Sequence, residues 1–86
     1  MKELERTLKA LANARRLAIV KMLARRKTAS VGDIAEHIKL SFKSTSRHLG
    51  ILSSAGILER EQTGLVVMHR LAGQKHSVVS EVLRLL

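Results

Sequence analysis

Between Ser30 and Gly56 the chain carries two capped amphipathic segments with almost nothing between them, and this spacing constrains the fold more than any other feature. The first opens with Ser30 and an acid three places on, Asp33. It sets Val31, Ile34, Ala35 and Ile38 at i, i+3, i+4 and i+7, which predicts a helix of about two turns. After Lys39-Leu40, Ser41 is placed to cap a second helix from Phe42 to Ala55, and Gly56 stands where a left-handed C-terminal cap belongs. A short helix, a tight turn and a longer helix therefore follow one another.

The flanks supply the remaining elements. Leu4, Leu8, Leu11 and Ala12 share one side of a first helix with charged residues between them. Asn13 caps a second, in which only Lys21 is polar from Leu17 to Ala24, so that helix is expected at the centre of the core. It ends at Arg25-Arg26-Lys27, cations suited to the negative end of a helix dipole. Residues Leu58 to Gln62 and Leu65 to Leu71 read as two strands around a Thr63-Gly64 turn, with Leu65, Val67, His69 and Leu71 on one face. Beyond Gly73, the apolar residues Val78, Val79, Val82, Leu83 and Leu86 line a last helix. The fold class is mainly α with a small β-hairpin, ordered α-α-α-α-β-β-α. With 86 residues, no proline and no repeat, residues 1–86 are read as a single domain. A helix-turn-helix followed by a hairpin is a winged helix-turn-helix.

Charge then narrows function. Sixteen Lys and Arg against seven Asp and Glu leave a net +9, which favours a polyanionic partner. Most of the excess, +7, lies in residues 1–27, so net charge alone does not mark the binding face. Phe42 is the single aromatic residue; platforms that stack single strands or RNA need more, and a groove reader of double-stranded DNA fits better. The absence of cysteine removes thiol nucleophiles and thiolate metal sites. Charges alternate from Lys2 to Arg6 where a secretion signal needs an apolar stretch, and no run is long enough to span a membrane, so a cytoplasmic chain without membrane contact is expected. No motif sets a nucleophile beside its base and no Gly-rich phosphate loop occurs, so neither catalysis nor a cofactor is assigned.

Projected at 100° per residue, Phe42, Leu49 and Leu52 share a packed sector with Thr45, while Lys43, Ser46, Arg47 and Gly50 point the other way. Two cations and two small residues without an acid suit phosphates and base edges together, although a plain solvated face has the same pattern. The terminal helices, about residues 2–12 and 74–86, present Leu4, Leu8, Leu11 and Val78, Val79, Val82, Leu83, Leu86, stripes that need cover. They either fold back on their own core or pair across a two-fold axis, and the second is favoured because a dimer sets two reading helices roughly 34 Å apart, matching a palindrome.

Leu11-Ala12-Asn13-Ala14-Arg15-Arg16-Leu17, Asp33-Ile34-Ala35, Leu40-Ser41, Ser46-Arg47-His48-Leu49, Leu52 and Ala55-Gly56-Ile57-Leu58 together resemble the ArsR (SmtB) family of transcriptional repressors over roughly residues 4 to 72. The resemblance implies a homodimeric repressor on the prokaryotic nucleoid that binds a palindromic operator and is released by an effector. It carries DNA contacts onto Ser41, Lys43, Ser44, Ser46, Arg47 and His48, with Arg60, Gln62 and Thr63 at the wing. His48 lies between the packed and free sectors and suits a structural role equally. Where metal-sensing members have Cys-x-Cys, this chain has Ser30 and Gly32, and of the Asp and His ligands on the last helix only His76 and Glu81 have counterparts. His37, His48, His69 and His76 fall on four elements without a ligand-spaced pair, so no metal site is assigned. The family's Asp-Pro-Thr-Arg is Asn13-Ala14-Arg15-Arg16 here. That change predicts a less sharp start to the second helix and frees Arg15 or Arg16 for a phosphate or a neighbouring acid.

Two alternatives stay open. One is a non-specific architectural DNA binder, which equal affinity for unrelated duplexes would reveal. The other is a winged helix that docks a protein partner, for which Lys43 and Arg47 would be dispensable.

Overall fold

Side-chain caps start three helices at the residues the sequence marks. Asn13 Oδ1 accepts the N–H groups of Arg15 and Arg16, at 2.9 and 3.1 Å, so the helix begins sharply without the expected loss from the missing proline. Ser30 Oγ accepts from the Asp33 N–H and Ser41 Oγ from that of Ser44, each at 3.1 Å. Asp33 does not close a reciprocal box; its carboxylate pairs with Arg26 at 2.7 Å.

The computed structural model describes all 86 residues: α1 Lys2–Leu11, α2 Ala14–Arg26, β1 Ala29–Ser30, α3 Val31–Ile38, α4 Phe42–Ser54, β2 Leu58–Thr63, β3 Val66–Leu71 and α5 Ser77–Leu85. Gly56, at φ +76°, supplies the left-handed residue after α4. The hairpin is part of a three-stranded antiparallel sheet ordered β1-β3-β2. Its third strand, β1, pairs Ala29 with His69 and Ser30 with Met68; two residues carry no periodicity, which hid it from the sequence reading. Thr63 pairs with Val66, which moves the turn one residue on, to Gly64-Leu65, with Gly64 at φ +65°. Leu65 is consequently a fully exposed wing tip and does not share the inner face with Val67, His69 and Leu71.

The core gathers around α2 as predicted, although Ala24 is exposed. Ile19, Val20 and Leu23 meet Ile34 of α3, Leu49 and Leu52 of α4, Ile57 and Val79. Each such side chain contributes about 1.5–3 kcal/mol by leaving water.

The terminal helices dock differently from expectation. On α1 the buried residues are Thr7, Ala10 and Leu11, which leaves Leu8 43% exposed and Ala12 at the surface. Leu11 and Val79, expected on the dimer stripes, are 3% and 0% exposed inside this protomer's own core. Leu4, Val78, Val82 and Leu83 are half-buried, while Leu85 and Leu86 are exposed.

Three arginines close helix C-termini, where carbonyls lack intrahelical partners. Arg15 donates to the carbonyls of Ile38 and Lys39 at 2.6 and 3.2 Å, closing α3. Arg16 donates to those of Ala10 and Lys9, closing α1, and Arg6 to that of Ser54, closing α4. Arg15 and Arg16 are thus engaged within the fold, Arg15 through Nη1 alone on an exposed side chain.

Candidate nucleic-acid interface

α4 offers one face to solvent. Thr45, Leu49 and Leu52 are buried, and Lys43, Ser46, Arg47 and Gly50 are exposed, as their angular spacing requires. Phe42, the first residue of α4, departs from the projection and is 64% exposed. Ser41 Oγ and its carbonyl take the N–H groups of Ser44 and Thr45, leaving those of Phe42 and Lys43 free at the positive end of the helix. Lys43 and Arg47 make no ion pair or side-chain hydrogen bond, so both charges face water. A Cβ added at Gly50 would meet nothing within 4 Å, so packing inside the protomer does not demand the glycine.

His48 is held from behind. Arg16 approaches its Nδ1 at 3.2 Å, and since arginine only donates, Nδ1 accepts and the ring is neutral. Burial pushes its pKa below the usual histidine value, reinforced by Arg16, Arg15 and Arg47.

The wing stands beside α4. Arg60, Gln62 and Thr63 are all exposed, with Gln62 Nε2 donating to the Gly64 carbonyl at 3.1 Å and so bracing the turn. Arg60 is unpaired. Arg70, by contrast, is committed to Glu61 and Glu59 at 2.6 and 3.2 Å. Glu59 also accepts the Gly73 N–H, and that bond, with Arg70 beside it, holds its carboxyl below the ordinary value.

Three features escaped the sequence reading. Lys2, Glu5 and Lys9 border a groove of about 730 Å3 between α1 and α4 that reaches Arg47 and Gly50, with Lys9 paired to Glu5 at 3.7 Å. Phe42, at the start of α4, and Leu65, at the wing tip, are exposed apolar groups. Hydrophobic periodicity assigns such residues inward by default, and only the element boundaries reveal otherwise.

The histidines have separate surroundings. His37 is exposed, His69 buried at 3%, and His76 Nδ1 accepts the Val78 N–H at 3.1 Å as the cap of α5. Ser30, at one Cys-x-Cys position, has its hydroxyl on the Asp33 N–H. No three His, Asp or Glu side chains stand together as metal ligands would. No helix is long and apolar enough to cross a membrane.

Residues 13–60 match the profile described as bacterial regulatory protein, arsR family. No curated protein sequence matches the chain. Among solved structures, the chain is similar to reduced HlyU from Vibrio cholerae N16961, at 30% identity and TM-score 0.83 over 98% of this chain and 84% of that one. It is similar to the homodimeric winged helix-turn-helix DNA-binding domain of Mb0332 from Mycobacterium bovis, a possible ArsR-family transcriptional regulator, at 32% identity and TM-score 0.84 over 98% and 74%. The transcriptional repressor BigR from Xylella fastidiosa matches at 25% identity and TM-score 0.81 over 98% and 81%.

Proposed function

The chain belongs to the arsR family of bacterial regulatory proteins, winged helix-turn-helix transcriptional regulators, and from that premise we propose that it is a dimeric repressor that binds a palindromic operator in duplex DNA. The observation that carries this reading is the acid-free exposed face of α4, where Lys43 and Arg47 stand unpaired beside the open N–H groups of the helix start. Ser41, Ser44, Lys43 and those N–H groups dock on phosphates; Ser46 and Arg47 reach base edges in the major groove. Gly50 lets the backbone approach closely, and exposed Phe42 suits a thymine methyl. His48 acts through Arg16 as a positioning residue. Arg60, Gln62 and Thr63 bring the wing to the flanking backbone, with Leu65 at its tip.

The terminal helices serve as dimerisation elements of one domain spanning residues 1–86. Met1, Leu4, Leu8 and Ala12 form an apolar surface on α1, and Val78, Val82, Leu83 and Leu86 continue it on α5. Operator occupancy does not depend on a metal at the positions of Ser30 and Gly32, whose side chains offer no thiolate. Hydroxyl-radical footprinting tests the assignment: two protected patches one helical turn apart on one face of the duplex, lost with Lys43→Ala plus Arg47→Ala, support it. Uniform weak protection points to the architectural binder.

A further inference from the structure

Five of the seven side-chain carboxylates already hold a cation of this chain: Glu5 that of Lys9, Asp33 that of Arg26, Glu59 and Glu61 that of Arg70, and Glu81 that of Arg84. Lys21 and Arg25 are left without one, and they stand together. One turn apart on α2, with Ala18 and Met22 on the same stripe, they line a groove of about 540 Å3 whose other wall is His37 of α3. Arg26 completes the lining, to which no carboxylate contributes. Asp33 and Glu36 line an adjoining hollow that shares Met22, Arg26 and His37, and there Asp33 is engaged by Arg26 at 2.7 Å.

Lys21 is the member of this group that the fold does not call for. Arg25 and Arg26 lie in the last turn of α2, where the helix dipole favours cations. Lys21 lies a turn earlier, on a stretch that is otherwise apolar from Leu17 to Ala24. It is half-buried, makes no ion pair or side-chain hydrogen bond, and repels Arg25 four residues on.

We propose that this groove is a binding site for a small oxyanion carrying two or more negative charges, a polycarboxylate or a phosphate ester. Two unpaired cations set the least charge that neutralises the site, and a monoanion leaves one of them unmatched. The oxygens accept from the Lys21 ammonium, the Arg25 guanidinium, the free N–H groups of Arg26 and a ring N–H of His37, while a short carbon frame lies on Ala18. The volume is that of a small-ligand pocket, and six lining residues offer far less than the roughly 800 Å2 that a protein partner covers. A second copy of this chain is a poor source of the charge, since of its acidic side chains only Glu3 and Glu36 are uncommitted. No lining residue comes from α4 or the wing, the elements assigned to duplex DNA, so the site stands apart from that reading.

The test follows the His37 imidazole and the amides of Ala18 and Arg25 by NMR on the DNA-free chain, at fixed ionic strength, as citrate, glycerol 2-phosphate or acetate is added. The result expected is a saturable shift with citrate, with glycerol 2-phosphate or with both, which tells carboxylate from phosphate, and none that saturates with acetate. Lys21→Gln plus Arg25→Gln weakens the response about tenfold or more, and Lys43→Ala plus Arg47→Ala leaves it unchanged. Resonances unmoved at tens of millimolar of both polyanions overturn the site. So does an equal response to acetate, or an equal loss in the α4 variant, which is the signature of diffuse attraction to a chain of net +9. A second measurement tests DNA as the occupant: Lys21→Gln plus Arg25→Gln keeps the salt slope of duplex binding. A slope lower by about two units assigns the groove to the DNA backbone and overturns the small ligand. Failure of the chain to bind any duplex defeats the DNA reading but leaves the spectral titration decisive for the groove.

Discussion

The Arg16 guanidinium lies 3.2 Å from Nδ1 of His48 while also donating to the last carbonyls of α1, so one side chain joins the end of α1, the start of α2 and the middle of α4. The family's Pro-Thr positions, occupied here by Ala14 and Arg15, sit in the same turn, and Arg15 fastens α3 in turn. Two adjacent arginines at the start of α2 therefore tie it to α1, α3 and α4. Their place in the sequence suggested free cations; their geometry makes them struts.

Replacing Arg16 by Met leaves the Lys9 and Ala10 carbonyls and His48 Nδ1 without their donor. The expected cost is about 1–3 kcal/mol, read as a lower urea midpoint at unchanged slope. A midpoint equal to that of the native chain contradicts the strut assignment.

Stability falls on the acid side of neutrality. His69 is buried, burial first and Arg60 second push its pKa below 6.5, and no acid faces it to favour the charged ring. The unfolded chain then binds the proton more readily, so the contribution of neutral His69 is complete above 6.5 and is lost progressively as pH drops toward the folded-state value. His48 acts in the same direction, weakened by its partial exposure. Urea unfolding on either side of pH 6.5 measures the slope, and His69→Gln should flatten it; a variant slope as steep as the native one rules His69 out as its source.

Removing the Arg47 side chain lowers specific DNA affinity by about 1–3 kcal/mol through a lost base contact, or lowers the salt slope by about one unit through a lost phosphate contact. Binding isotherms at several salt concentrations separate the two. Unchanged affinity and slope remove Arg47 from the interface.

Two leucines on α1 give opposite failures. Leu8 is 43% exposed, so Leu8→Glu should keep the fold and yield a monomer in equilibrium sedimentation at tens of micromolar. Leu11 is 3% exposed, and Leu11→Glu should unfold the chain by burying a charge. A folded, still dimeric Leu8→Glu protein contradicts the proposed interface.

Much of this is legible in the sequence alone. The caps at Asn13, Ser30 and Ser41 and the glycine at 56 set helix boundaries because each satisfies or relieves a specific backbone group. The free face of α4 followed from angular spacing alone. What periodicity could not supply was context: β1 is too short to show a pattern, Phe42 and Leu65 sit at element ends where apolar character no longer means burial, and α1 turns Thr7 and Ala10 inward in place of Leu8. The commitment of Arg6, Arg15 and Arg16 to carbonyls, and the groove between α2 and α3, depend on contacts between residues distant in sequence.

The central claim is sequence-specific recognition of a symmetric site through α4, and selection of bound duplexes from a random pool at near-physiological salt, with native chain and Lys43→Ala, Arg47→Ala chain in parallel, tests it most directly. The account predicts an enriched inverted repeat with half-sites about one helical turn apart that the variant fails to enrich. Salt-sensitive binding with no enriched sequence, or an identical repeat recovered by the variant, contradicts it.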